Sequence, residues 1–259
     1  MPGDILLRAS EVSRRFGGLL AVDRASLTLV RGEVHALIGT NGAGKSTLVN
    51  VLSGEIGATG GQVHLHGRDV TRWPQPRRAR AGLGRSYQRT TIFPRATVFE
   101  NCRLTAQAHF QRPFHLWSEA ARCRRSTRLA EQAIEQAGLT AQVHRVAGTL
   151  SHGQKRQLEI AMCLAMAPSV LLLDEPLAGM GPEESERMLT LLATLRPGHA
   201  ILLVEHDMDA VFRIADHITV MVNGAVIASA DPDAIRGNAL VQAAYLGDSV
   251  EAGAPALID

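Results

Sequence analysis

Residues 39 to 47 read Gly39-Thr40-Asn41-Gly42-Ala43-Gly44-Lys45-Ser46-Thr47, a spacing that could enclose a chain of phosphate groups. Glycines at these positions let backbone N–H groups of Gly39, Asn41, Gly42, Ala43, Gly44 and Thr47 turn inward. A helix starting at Lys45 would add the positive end of its dipole. Lys45 should reach the β- and γ-phosphates, and Ser46 should ligate Mg²⁺. A Gly-rich loop can match this pattern by chance, but this one stands between an expected strand and an expected helix, as phosphate binding requires.

The second candidate is Val170-Leu171-Leu172-Leu173-Asp174-Glu175-Pro176, four aliphatic residues followed by two carboxylates. Asp174 suits the Mg²⁺ shell. Glu175 should point elsewhere, because adjacent strand residues alternate, and could take a proton from an attacking water. A solvated acidic pair at a strand end is the alternative, disfavoured by the buried run and the upstream loop. Of 27 basic residues only Lys45 and Lys155 are lysines, so a lysine in the loop stands out where a compact ammonium fits better than a planar guanidinium. His64 and His66 should share one face of a strand, but no acidic or Cys ligand is near in sequence, and ordinary strand residues are the reading adopted. Cys102, Cys123 and Cys163 are too few and too spread for a zinc cluster or disulfide framework. No metal beyond the one accompanying a nucleotide is expected.

The elements that must position these residues can be read from pattern. From Ile5 to Leu37 the chain is strand-like, with alternation over Ala25 to Val30 and a turn at Arg31-Gly32. Helix should run from about Lys45 to Leu52, and β structure from Gln62 to Val70. Thr97 to Val146 is helix-like, with Leu129, Ala133, Ile134 and Ala137 near helical spacing, and is expected to be an inserted helical subdomain. Strands return at Val170 to Asp174 and Ala200 to Glu205, flanking a helix over Glu183 to Leu195, the alternation of a parallel sheet with crossover helices. The fold class is therefore α/β.

Length and composition agree with one core plus an insertion. The chain has 259 residues, 46% hydrophobic and only 4% aromatic, enough for a core of Leu, Val, Ile and Ala. No aliphatic run approaches the roughly 18 residues of a membrane span, and the N-terminus lacks a secretory pattern, so a cytoplasmic location is expected. The formal charge of +2 does not argue for nucleic acid. Arginines gather between Arg68 and Arg95 and again at Arg122, Arg124, Arg125 and Arg128; a solvated helical face is the plain reading, a surface near anionic lipid or an acidic partner the other.

Leu150-Ser151-His152-Gly153-Gln154, followed by Lys155 to Ala161 and standing ahead of the Asp174-Glu175 strand, resembles the signature motif of ABC ATPases. The resemblance covers nearly the whole chain. It implies a P-loop core with an N-terminal antiparallel β subdomain and a helical insertion at about 97–165, all within 1–247; the Ala/Gly-rich composition of 248–259 predicts a flexible tail. It implies a dimer in which Ser151, Gly153 and Gln154 face the γ-phosphate of ATP bound to the opposite subunit. Gln88, in Gly84-Arg85-Ser86-Tyr87-Gln88, is similar to the glutamine that contacts Mg²⁺ or water and relays movement to the membrane partner. His206 resembles the histidine that touches the γ-phosphate. Phe16 falls where the family stacks an aromatic on adenine, with Val22 beside the ribose; core packing of Phe16 is the alternative.

Arg14 to Leu19, Gly84 to Gln88, Ala178-Gly179-Met180, Glu205 to Met208 and Ala244 to Gly247 resemble the ATPases of branched-chain amino acid importers and, closely, of urea importers. That subgroup implies permease subunits, a second ATPase subunit, a periplasmic solute-binding protein acting indirectly, and a peripheral place on the cytoplasmic face of the plasma membrane. His152 departs from the usual glycine of the signature motif, and Gly181 stands where many relatives have the aspartate that couples the two ATP sites. Rival expectations are a urea or short-amide importer, a lipid- or lipopolysaccharide-extracting complex, a soluble nucleic-acid switch protein, and a regulatory subunit without turnover. The fused cores and long coiled coils of a nucleic-acid switch are not evident, and Lys45, Asp174, Glu175 and His206 argue against a silent subunit.

Overall fold

In the computed structural model, which describes residues 3–88, 91–110 and 123–244, two antiparallel strands, β1 (Ile5–Phe16) and β2 (Leu19–Val30), lead into β3 (Val34–Gly39) and helix α1 (Lys45–Ser53). The short strands β4 (Gly60–Leu65) and β5 (Arg68–Asp69) follow, then α2 (Gln75–Arg80) and β6 (Leu83–Arg85). The chain next leaves the sheet for three helices, α3 (Val98–Phe110), α4 (Arg124–Gln136) and α5 (His152–Leu164). It returns through β7 (Val170–Asp174), α6 (Pro182–Leu195), β8 (Ala200–Val204) and α7 (Met208–Ile214), and the described part closes on β9 (His217–Val222), β10 (Ala225–Ala230) and α8 (Pro232–Arg236).

Ten strands among the described residues form one sheet in the order β5-β4-β1-β2-β10-β9-β3-β8-β7-β6. Its first part is antiparallel, as the alternation in β2 suggests, and β3, β8, β7 and β6 run parallel. The two parts meet where Ala225 of β10 pairs with Asp23 of β2. Alternation of side chains explains why the aliphatic strands can bury both faces. In β7, Leu171 and Leu173 pack with α5 and α6, while Val170 and Leu172 pack in the core beneath α1. In β8, Ile201 and Leu203 take the first side, Ala200, Leu202 and Val204 the second.

Helix α4 buries Ala133 and Ile134, and Ala137 just beyond it is buried as well. The helix-like stretch is not continuous: Gly138 has φ +70, and 3-10 turns at Thr140–Gln142 and Ala147–Thr149 replace helix before Ser151. His66 is not on the strand with His64. It sits in the turn after β4 with φ +51, and its ring bonds to Ser169 Oγ at 2.8 Å. The three cysteines are free thiols. No helix among the described residues is long and apolar enough to cross a membrane. The tail 248–259 and the closing Tyr245-Leu246-Gly247 lie outside the described residues.

Among the described residues, Arg78 of α2 is the largest fully buried side chain, 1% exposed. Its guanidinium donates to the carbonyls of Val51 and Leu52, both at 2.8 Å, to Thr71 O at 2.9 Å and to Trp73 O at 3.1 Å. Two of these are among the last carbonyls of α1, which have no partner within the helix. Burial lowers the arginine to about 10, leaving it a cation at neutral pH. Arg78→Met removes the guanidinium from four carbonyls, of which Val51 O keeps the Gly54 N–H at 3.1 Å, and one buried unsatisfied group alone costs about 1–3 kcal/mol. Urea unfolding should therefore shift to a lower midpoint by at least about 2 kcal/mol of stability; an unchanged midpoint would contradict this role.

Candidate active site

The carboxyl ends of β3, β8, β7 and β6 lie side by side, since Leu37 pairs with Val204, Val204 with Asp174, and Arg85 with Leu172. This is the edge at which open parallel sheets bind ligands. Immediately beyond β3, residues 40–44 form the loop into α1. A Cβ on Gly39 would fall 2.2 Å from the Met221 carbonyl oxygen, and one on Gly44, at φ +96, 2.3 Å from the Ala21 carbonyl. Only glycine allows those approaches. The loop is also stapled by hydrogen bonds from Ala43 N–H to Thr40 O at 3.1 Å and from Gly224 N–H to Ala43 O at 3.0 Å. No side chain caps α1, so its first N–H groups face the loop's concavity. Asn41, Gly42 and Ser46 are exposed and Thr47 is half-buried.

Lys45 folds its ammonium back over the loop, donating to Gly39 O at 2.6 Å and Thr40 O at 2.9 Å. Burial pulls it below the ordinary lysine value, and the charges of Glu175 and Asp174 pull the other way. Lys45, Asp174 and Glu175 thus form one electrostatic group, as the sequence spacing suggests.

Asp174 is the last residue of β7. Its Oδ1 is buried without a hydrogen-bond partner, and its Oδ2 lies 4.0 Å from Arg85 Nη2. Burial raises its carboxyl above the usual range; Arg85 opposes that and Glu175 adds to it. Glu175 lies beyond the strand rather than continuing its alternation. Its φ of +49 is unusual for a residue with a side chain, and its N–H donates to Val204 O at 2.9 Å. Strand end plus left-handed turn, not pleating, separates the two carboxylates. The Gln88 amide donates to Glu175 Oε2 at 3.2 Å.

His206 follows β8 with its side chain 67% exposed. Behind it Glu205, 1% exposed, accepts from Leu177 N–H at 2.8 Å and His206 N–H at 3.3 Å, and its Oε2 is 3.9 Å from His206 Nδ1. Burial raises the Glu205 carboxyl. Glu205 and Arg85 escaped the sequence reading, although Glu205 directly follows the apolar strand β8; Arg85 closes the three-residue strand β6, which shows no pattern. Arg85 spans from this edge to the end of α1: Nη1 donates to Ser53 Oγ and Glu55 Oε2, each at 2.7 Å, and Nη2 to Asn50 Oδ1 at 2.5 Å.

Ser151, Gly153 and Gln154 are not joined to this group by any hydrogen bond among the described residues. Ser151 caps α5: its Oγ accepts from Gln154 N–H at 3.2 Å and donates to Glu184 Oε1 at 3.1 Å, while Gln154 Oε1 accepts from Ser151 N–H. Phe16, at the end of β1, is 45% exposed with the Arg14 guanidinium 4.4 Å from its ring centre, so core packing is ruled out for it. Val22 is corrected. It is wholly buried among core residues, because its side chain points from β2 into the layer beneath the sheet, and has no surface to offer a ribose.

The arrangement can hold a polyanion at the loop and α1 and present a carboxylate base beside a second carboxylate suited to a cation. The raised Asp174 carboxyl gives a pH test. With a folded-state pKa above the unfolded one, ionised Asp174 weakens the fold at neutral pH and protonation relieves the cost. In the absence of nucleotide, Asp174→Asn should melt higher at pH 7 by about 2–4 °C, the shift that about 1 kcal/mol produces at this size. The advantage should vanish below about pH 4, near the unfolded aspartate value; a lower melting point at pH 7 would contradict it.

Comparison with known proteins places the whole chain. The sequence model of the family described as ABC transporter matches residues 22–178, and that described as branched-chain amino acid ATP-binding cassette transporter matches residues 225–251. The high-affinity branched-chain amino acid transport ATP-binding protein BraF of Pseudomonas aeruginosa is 40% identical over 251 residues, covering 94% of this chain and 98% of that protein. LivG of Escherichia coli K12, described in the same words, is 40% identical over 253 residues with the same coverage. A nucleotide-free ATP-binding cassette from an ABC transporter superposes with a TM-score of 0.83 at 29% identity, covering 93% of this chain and 98% of that one. The ADP conformation of MJ1267, an ATP-binding cassette of an ABC transporter, gives 0.81 at 28% identity, with 94% and 99% covered. The chain belongs to the ATP-binding family of ABC transporters, α/β ATPases that hydrolyse ATP to power transport.

Proposed function

We propose that this chain is the ATP-hydrolysing subunit of an importer for branched-chain amino acids, working in a pair of ATPase subunits beneath permease subunits supplied by a periplasmic solute-binding protein. For the chemistry, the supporting observation is the juxtaposition of Lys45, Asp174, Glu175 and Gln88 at one strand edge. For the solute, it is 40% identity across nearly the full length of relatives named for branched-chain amino acid transport, together with the C-terminal match.

In this reading ATP lies with its phosphates along residues 39–47, on the N-terminal end of α1, and with adenine against the exposed face of Phe16. Lys45 leaves the carbonyls of Gly39 and Thr40 for the β- and γ-phosphates. The partnerless Oδ1 of Asp174 and the exposed hydroxyl of Ser46 fit a Mg²⁺ ion, with Gln88 close by. Bound there, Mg²⁺ would neutralise charge on the phosphates. Glu175 takes a proton from the attacking water, oriented by Gln88, and His206 donates to the γ-phosphate. Ser151, Gly153 and Gln154 serve the ATP of the opposite subunit, which accounts for their separation from the other site residues within one chain. The peripheral, cytoplasmic-face location follows from work at a permease.

The test is uptake of labelled leucine, with labelled urea as comparator, in cells whose only copy carries Glu175→Gln. Removing a general base typically costs about 10²–10⁴ in rate, so leucine uptake should fall to background and return with the wild-type chain, urea being unaffected. Loss of urea uptake alone would replace the solute and keep the mechanism. No change in either would overturn the proposed import function.

A further inference from the structure

Two buried charged side chains of α5 have no part in this chemistry, yet they grip the segment that carries Gln88. Arg156 and Glu159 lie one turn apart on the same helix face, 7% and 4% exposed. Arg156 Nη1 donates to Tyr87 O at 3.0 Å and lies 2.9 Å from Glu159 Oε2; Nη2 donates to the carbonyl of Gln88 itself at 2.9 Å. Glu159 Oε1 accepts from Thr91 N–H at 2.9 Å. The pair therefore holds the backbone at residues 87, 88 and 91. Two ions out of water are costly unless their hydrogen bonds are well met, and here three of those bonds go to backbone groups flanking one functional glutamine. Burial raises the Glu159 carboxyl, and the bonds to Arg156 and Thr91 counter it.

The same helix begins at Ser151 with a capping box, so its N-terminal turn is tied by local hydrogen bonds to the residues read as facing the opposite subunit's ATP. At its other connection the Gln88 side chain reaches Glu175. We propose that Arg156 and Glu159 are positioning residues that lock the Gln88 backbone to α5 and so hold the Gln88 amide against Glu175. This rests on the reading that Gln88 assists hydrolysis at Glu175. Loss of that hold lets Gln88 shift, and a glutamine misplaced by about 1 Å can cost about a hundredfold in rate.

The experiment is steady-state ATP hydrolysis by the complete transporter carrying Arg156→Met, Glu159→Gln, Gln88→Ala, and Gln88→Ala combined with each of the first two. Each single change should lower kcat by about tenfold or more with KM for ATP within about twofold, and each double variant should match Gln88→Ala alone. If Gln88→Ala is slow but the losses multiply, or if KM rises at unchanged kcat, the positioning role is overturned while the role of Gln88 stands. Wild-type turnover by Gln88→Ala overturns both. Should Arg156→Met fail to assemble, Glu159→Gln, nearly isosteric, carries the same comparison.

Discussion

Asp174 ends a strand with all five residues buried, so its carboxylate is drawn out of water at the edge where a nucleotide's phosphates would arrive. Much of the local structure is arranged around that constraint. Arg85 lies 4.0 Å away and Lys45 adds a second opposing charge, yet burial still raises the carboxyl. An oxygen atom in that position with no hydrogen-bond partner is the sort of group a protein tolerates where a ligand completes it. Arg85 is in turn held by Asn50, Ser53 and Glu55. The acidic edge is thus braced against the far end of α1, whose near end is the proposed phosphate site.

The loop at the near end is supported from behind. Gly39 and Gly44 approach the carbonyls of Met221 and Ala21, and Gly224 N–H donates to Ala43 O. The N-terminal antiparallel strands therefore do more than cover the core. Through Ala21 and the β2–β10 pairing they form one wall of the phosphate loop, which explains why a single continuous sheet serves both parts of the fold.

Much of this was legible because the decisive residues are local signals. A Gly-rich run between strand and helix, and two acids after a buried aliphatic run, stand out without any contact map. Elements that depend on long-range pairing did not stand out. The edge strand β6 is three residues long, too short to show a period, and it is a strand because it pairs with β7. The β9–β10 hairpin did carry a signal, Asn223-Gly224 between apolar runs with both residues at positive φ, but it was not read. Glu175 does separate from Asp174, but a left-handed turn at φ +49 diverts it rather than the strand alternation that the sequence suggests. Val22 was misplaced because its neighbour's backbone, not its side chain, touches the loop. Arg85, Glu205, Arg156 and Glu159 were invisible as site residues because a charge in sequence does not reveal that it is buried.

In the proposed mechanism two adjacent carboxylates divide the labour: Asp174, buried and lacking a partner at Oδ1, serves the cation, and Glu175, turned away and bonded to Gln88, serves the proton. Thermal melting with ATP, in the presence and absence of Mg²⁺, tests that division without requiring turnover, because a ligand that binds the folded state raises the melting point with the logarithm of its concentration relative to Kd. Glu175→Gln should keep the extra stabilisation that Mg²⁺ adds to ATP, and Asp174→Asn should lose it. If both variants keep it, or both lose it, the two carboxylates do not have separate roles.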